Sequence, residues 1–122
     1  MTVRDGFYAS WRGLEYEASP DGEVVRLYTG APAEGFLEAA PGRHVRVVAA
    51  DEVDHLVYVV TLCTWRGEPF QVLGEHEEWL RVEYLGQDPA VAERLGLEEF
   101  DLGVYHAWAP REEVSDLREE RL

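Results

Sequence analysis

Apolar and polar residues alternate along most of this chain, the period-two pattern of strands with one buried and one wet face. Residues 6–11 are rich in aromatics and stop at Arg12-Gly13, and residues 14–19 set Leu14, Tyr16 and Ala18 between glutamates. Ser19-Pro20-Asp21-Gly22 predicts a turn, since Asp-Gly between two strand runs is a hairpin signal, and residues 23–29 supply the returning strand. The breakers of residues 30–42 predict a loop with one helical turn, pinned by Phe36. Residues 44–49 are β-branched and strand-like. Asp51-Glu52-Val53-Asp54 predicts a single tight helical turn capped by Asp51. Residues 56–64 form the longest apolar strand candidate.

The downstream half follows a similar plan. Residues 68–73 predict a strand, 74–78 an acidic turn, and 79–85 the returning strand. Asp88-Pro89 and Gly96 bracket a short helix over 89–95, with Asp88 as cap, Pro89 at the first helical position, and Val91 and Leu95 facing the core. Residues 98–101 read as loop or turn, and 103–109 as a strand ending at Pro110. Residues 111–122 predict a charged terminal helix with Val114, Leu117 and Leu122 as its contact stripe.

The two halves share more than a plan. Ser10-Trp11-Arg12-Gly13 returns as Thr64-Trp65-Arg66-Gly67, with an aromatic residue three positions after each glycine, Tyr16 and Phe70. Val25-Arg26-Leu27 matches Leu80-Arg81-Val82, and the run from Asp51 to Leu56 matches that from Glu112 to Leu117. The order of the three matches is kept, which is the mark of an internal duplication. It divides the chain into repeats of approximately 1–60 and 61–122. No linker separates them, so one 122-residue domain built of two repeats is expected.

Charge narrows the partners. With 25 acidic residues against 11 basic ones, all arginine, the formal charge is −14, and the second half is the more acidic. Such a field repels phosphate backbones and attracts basic proteins, so nucleic acid is not an expected partner. No run reaches membrane-spanning length, and Met1-Thr2-Val3-Arg4-Asp5-Gly6 has no apolar signal region. A lone cysteine, Cys63, within an apolar strand predicts a buried thiol in a reducing compartment. A cytoplasmic location is expected, as a monomer or weak homodimer.

Chemistry-bearing patterns are sparse. His44, His55, His76 and His106 lack ligand spacing, although His76 among Glu75, Glu77 and Glu78 would hold a cation loosely. There is no glycine-rich phosphate loop, no Gly-x-Ser-x-Gly, and no paired Cys and His with a credible base. Neither catalysis nor a cofactor is expected. Recognition remains. Glu75, Glu77 and Glu78 run directly into Trp79, and an aromatic anchor rimmed by carboxylates suits a basic protein surface. Trp108 is a second anchor, and Glu98, Glu99 and Asp101 would pair with the partner's arginines and lysines. Trp11 and Trp65 read first as packing at strand ends, with the glycine permitting the turn. An alternative uses them, with Tyr16, to line a small-molecule or peptide groove between the repeats. A structural or oligomerisation role is a third reading.

The order strand, strand, strand, excursion, strand, tight turn resembles an SH3-like small barrel, so the expected fold is mainly β, two fused SH3-like units with one short helix. Such a barrel needs a last strand after the turn. In the second repeat that strand is missing if the terminal segment is helical, unless residues 56–64 serve both units; a single mixed sheet with a half-barrel on each side is the rival architecture. In size, acidity and absence of catalytic machinery, with the Trp-Arg-Gly repeat and closing Glu-Val turns, the chain resembles small bacterial immunity proteins of polymorphic toxin systems. That resemblance implies a non-catalytic binder neutralising a basic toxin domain.

Overall fold

Arg12 and Gly13 reverse the chain with φ of 50° and 80°, and Arg66 and Gly67 do the same with 52° and 78°. Two successive residues at positive φ make the hairpin turn whose twist matches that of the flanking strands. Each Trp-Arg-Gly is thus a hairpin apex. The structure, a computed structural model, describes residues 3–122; Met1 and Thr2 lie outside the described residues. The chain is mainly β and falls into two compact units, Gly6–Val59 with Leu122, and Val60–Arg121 with the described residues before Gly6.

In the first unit, β1 (Gly6–Trp11), β2 (Leu14–Asp21) and β3 (Val24–Thr29) form a meander, followed by β4 (Leu37–Ala40) and β5 (Arg43–Ala49). A 3-10 turn, Ala50–Glu52, leads into β6 (His55–Trp65), whose first half pairs with β1. The strand order is β4-β5-β3-β2-β1-β6, antiparallel throughout. Trp11, Val25, Leu27, Phe36 and Val48 fill its core with Ala9 and Ala18.

In the second unit, the rest of β6 is the opening strand, followed by β7 (Glu68–His76), β8 (Trp79–Tyr84), the helix α1 (Pro89–Arg94), β9 (Glu98–Asp101) and β10 (Val104–Pro110). A 3-10 turn, Arg111–Glu113, leads into β11 (Val114–Arg121), which pairs with β6. The order is β6-β7-β8-β10-β9. Phe70, Val72, Leu80, Val82 and Ala109 are fully buried at its centre, and Trp65 packs edge-on against Phe70 with centroids 5.4 Å apart.

Both units therefore run through the same series, and the closing strand of each pairs with its opening strand. The β3–β5 and β8–β10 registers agree residue for residue, while β7 carries a bulge between Val72 and Gly74 that β2 lacks. Trp11 pairs with Leu14 as Trp65 does with Glu68, and Arg26 pairs with Val47 as Arg81 does with Trp108. β6 closes one unit and opens the other.

Four local expectations are corrected. The terminal segment is a strand, β11, and not a helix. Asp116 sits within it at φ 53°, an irregularity of the kind a bulge makes, and Val114 and Leu117 both pack against the core. A positive-φ residue between Val114 and Leu117 lets a strand show the three-residue apolar spacing of a helix. The loop of residues 30–42 contains β4, and residues 98–101 form β9. Both are edge strands with all four residues exposed, so neither shows the alternation that burial of one face imposes. The turn after β5 begins at Ala50 with no side-chain cap, so Asp51 is not its cap. The helix stands as expected: Asp88 accepts a bond from the Ala90 amide at 3.0 Å, and Pro89 is in its first turn.

Candidate interaction face

β8 alternates cleanly. Leu80, Val82 and Tyr84 point into the core, and Trp79, Arg81 and Glu83 point the other way. On β10, Ala109 is buried, and the opposite face carries His106, Trp108 and Pro110. Register sets these two rows side by side: His106 across from Glu83, Trp108 across from Arg81, Pro110 across from Trp79. Trp79 is 46% exposed and Trp108 48%, large apolar areas for a chain of this size to leave in water. With His76, which β7 sets directly across from Trp79, they line one apolar pocket.

A polar network stiffens the face. The Arg81 guanidinium lies 5.4 Å from the Trp108 ring centroid and 3.4 Å from Nδ1 of His106. Nε2 of His106 is 2.9 Å from a Glu83 carboxylate oxygen. Arginine can only donate, so Nδ1 accepts and Nε2 carries the proton towards Glu83. Phe100 from β9 stacks on His106 at 4.6 Å, completing the burial of that ring. Trp108 thus rests on a braced cation, a contact of the cation–π type.

The predicted partner-binding residues divide. Trp79 and Trp108 come together on this face. Glu78 lines a second cavity with Trp79, Pro110 and Glu112, and Glu77 occupies the adjoining turn at φ 54°, exposed. Glu98 lies across from His106. Glu75 and Glu99 lie on the other side of their strands. Glu75 faces away, across from Leu80, where Arg111 and the Val3 amide at 3.3 Å bind its carboxylate. The hydrogen bond from Arg111 first, then that from Val3, hold its pKa below the usual carboxylate range. Glu99 lies across from Tyr105, whose phenol is pushed up by burial and then by the Glu99 carboxylate. Asp101 lies across from Val104, and its carboxylate accepts from the Leu102 amide at 2.8 Å.

Trp11 and Trp65 are 5% and 4% exposed, one in each core, as the folding reading expects. Tyr16 packs with Trp11 and Phe36 in the first unit. His76 is exposed, with Nε2 4.0 Å from Glu77, and among the described residues no group of three or more His, Cys, Asp or Glu could hold a metal. No helix among them is long and apolar enough to cross a membrane. Sequence reasoning did not single out Arg81, His106 or Phe100 as site residues. Arg81 was visible as the counterpart of Arg26, but only the strand register reveals what stands beside it.

A two-unit, mainly β chain with a braced aromatic face is the class that geometry defines. The model of the family described as uncharacterised conserved protein UCP033725 matches residues 3–122, and the chain belongs to that family. No curated protein and no solved structure matches it.

Proposed function

We propose that this protein is a non-catalytic binding module that holds a basic protein through the Trp79–Trp108 face. One observation carries the reading. The duplication supplies an internal control, because the positions of Trp79 and Trp108 are held in the first unit by Val24 and Val47, on the same strands in the same register. The fold is content with valine at both places, so packing does not demand the indoles. Two half-exposed tryptophans on adjacent strands, over an apolar pocket and beside Glu77, Glu78 and Glu112, are what an anchor for an arginine- or lysine-rich surface requires. The net charge of −14 draws such a partner in.

An immunity protein that neutralises a basic toxin domain by covering its active surface is one such binder, and a cytoplasmic location goes with that reading. Each unit, with its closing strand after a 3-10 turn, is read as SH3-like. The test is association kinetics with the captured partner. The on-rate falls steeply with added salt if carboxylates steer the encounter, and an on-rate indifferent to ionic strength contradicts the proposal.

A further inference from the structure

The first unit carries a different opening. β2, β5 and the Ala33–Phe36 bend enclose an open cleft of about 350 Å³ above Trp11. Two guanidiniums lie against that one ring, Arg12 at 4.3 Å and Arg46 at 4.7 Å from its centroid. Among the described residues neither makes an ion pair with a carboxylate. Among the described residues Arg46 donates only to the Glu34 carbonyl, at 3.3 Å, and Arg12 has only its contact with Trp11. In a chain with 25 acids for 11 bases, two like charges on one ring with no carboxylate in ion-pair contact among the described residues are out of place.

The second unit shows that this is not a folding requirement. Arg66 lies 4.3 Å over Trp65 as Arg12 lies over Trp11, so that arginine belongs to the hairpin apex. The counterpart of Arg46 is Ala107: Arg46 pairs with Leu27 as Ala107 pairs with Val82. The same strand folds without a cation there. The Arg46 guanidinium lies against the Cα of Gly35, whose φ of 80° itself calls for glycine.

We propose that the cleft over Trp11 binds a singly charged carboxylate on a small apolar body. The two guanidinium forks match a carboxylate's paired oxygens. Tyr16, Phe36 and the exposed Leu14 supply apolar walls. Glu34 lines the same cleft, and with the net charge of −14 it penalises every further negative charge, so phosphate is excluded. A free small acid and the C-terminus of a peptide ending in an apolar residue share this chemistry.

The test follows the Trp11 indole N–H signal by NMR as phenylacetate, phenylacetamide, inorganic phosphate, and N-acetyl-Ala-Ala-Phe as acid and as amide are added to the full chain. Phenylacetate or the peptide acid shifts it saturably, with dissociation constants on the order of millimolar or tighter, and the matching amide binds roughly tenfold more weakly or not at all. Arg46→Ala, the residue the second unit already uses, lowers affinity by roughly tenfold with an unchanged melting temperature. Arg46→Lys, which keeps the charge without the fork, recovers only part of it. Whichever acid binds more tightly names the source. Equal binding of acid and amide, tighter binding of phosphate, an unaffected Arg46→Ala, or no shift with any probe overturns the proposal.

Discussion

Trp108 stands directly across from Arg81 with its indole 5.4 Å from the guanidinium, where the same register in the first unit sets Val47 across from Arg26. Duplication lets one half of the molecule report what the other half's fold requires. Where the halves agree, as in the burial of the two apex tryptophans, the residues serve folding. Where they differ on an exposed face, the difference is available for function.

Replacing Trp79 and Trp108 together by valine should therefore leave the fold intact and abolish binding. Both indoles are about half exposed, so the stability loss is at most about 1 kcal/mol per site, a shift of a few degrees in a thermal melt. Partner affinity falls by more than about tenfold, as for truncation of an aromatic anchor. A large loss of melting temperature would return these tryptophans to the core.

Glu77, Glu78 and Glu98 changed to glutamine should slow association and flatten its salt dependence, with little effect on dissociation. Glu75→Gln behaves differently, because its carboxylate is tied to Arg111 and the Val3 amide on the opposite face. It affects stability and not the on-rate. Stopped-flow kinetics at several ionic strengths separate the two.

Acid should expose the role of Glu75 and Glu119. Hydrogen bonds from Arg111 to Glu75 and from Arg4 to Glu119 lower both pKa values. A carboxylate depressed in the folded state stabilises it above the ordinary carboxylate range, and that contribution is lost as pH falls through the folded value. Urea melts at neutral and acid pH should show the Glu75→Gln, Glu119→Gln double variant less stable than wild type at neutral pH, with a smaller further loss in acid. Parallel pH profiles would rule out these pairs.

Cys63 is 2% exposed, and burial pushes its thiol up to about 11, with Asp116 adding to the rise and Arg118 opposing it. A raised thiol pKa stabilises the fold below the ordinary value near 8.5 and ceases to do so as pH climbs through about 11. Thiol reagents at mildly alkaline pH should label the native protein only as fast as it unfolds. Rapid stoichiometric labelling of the native state would contradict this burial.

Much of the fold was legible because its strands bury one face. The alternation of Leu80, Val82 and Tyr84 marks β8, and the Asp88-Pro89 start marks α1, from local chemistry alone. β4 and β9 escaped because an exposed edge strand is held by backbone bonds to one neighbour, which leave no side-chain signature. β11 imitated a helix through the positive-φ residue Asp116. The site was half legible. Trp79 and Trp108 stand out as large aromatics in acidic surroundings, but their adjacency depends on which residue of β10 faces which residue of β8. The same register separates Glu75 and Glu99 from the face, since one step along a strand reverses the side chain.

The most direct measurement is affinity capture from a lysate of the source organism at low salt, comparing wild type with the Trp79→Val, Trp108→Val variant after matching their melting temperatures. One basic protein should be retained in stoichiometric amount by wild type, released by salt, and absent from the variant. Equal retention by both chains, or no salt-sensitive partner on wild type, would contradict binding through the Trp79–Trp108 face.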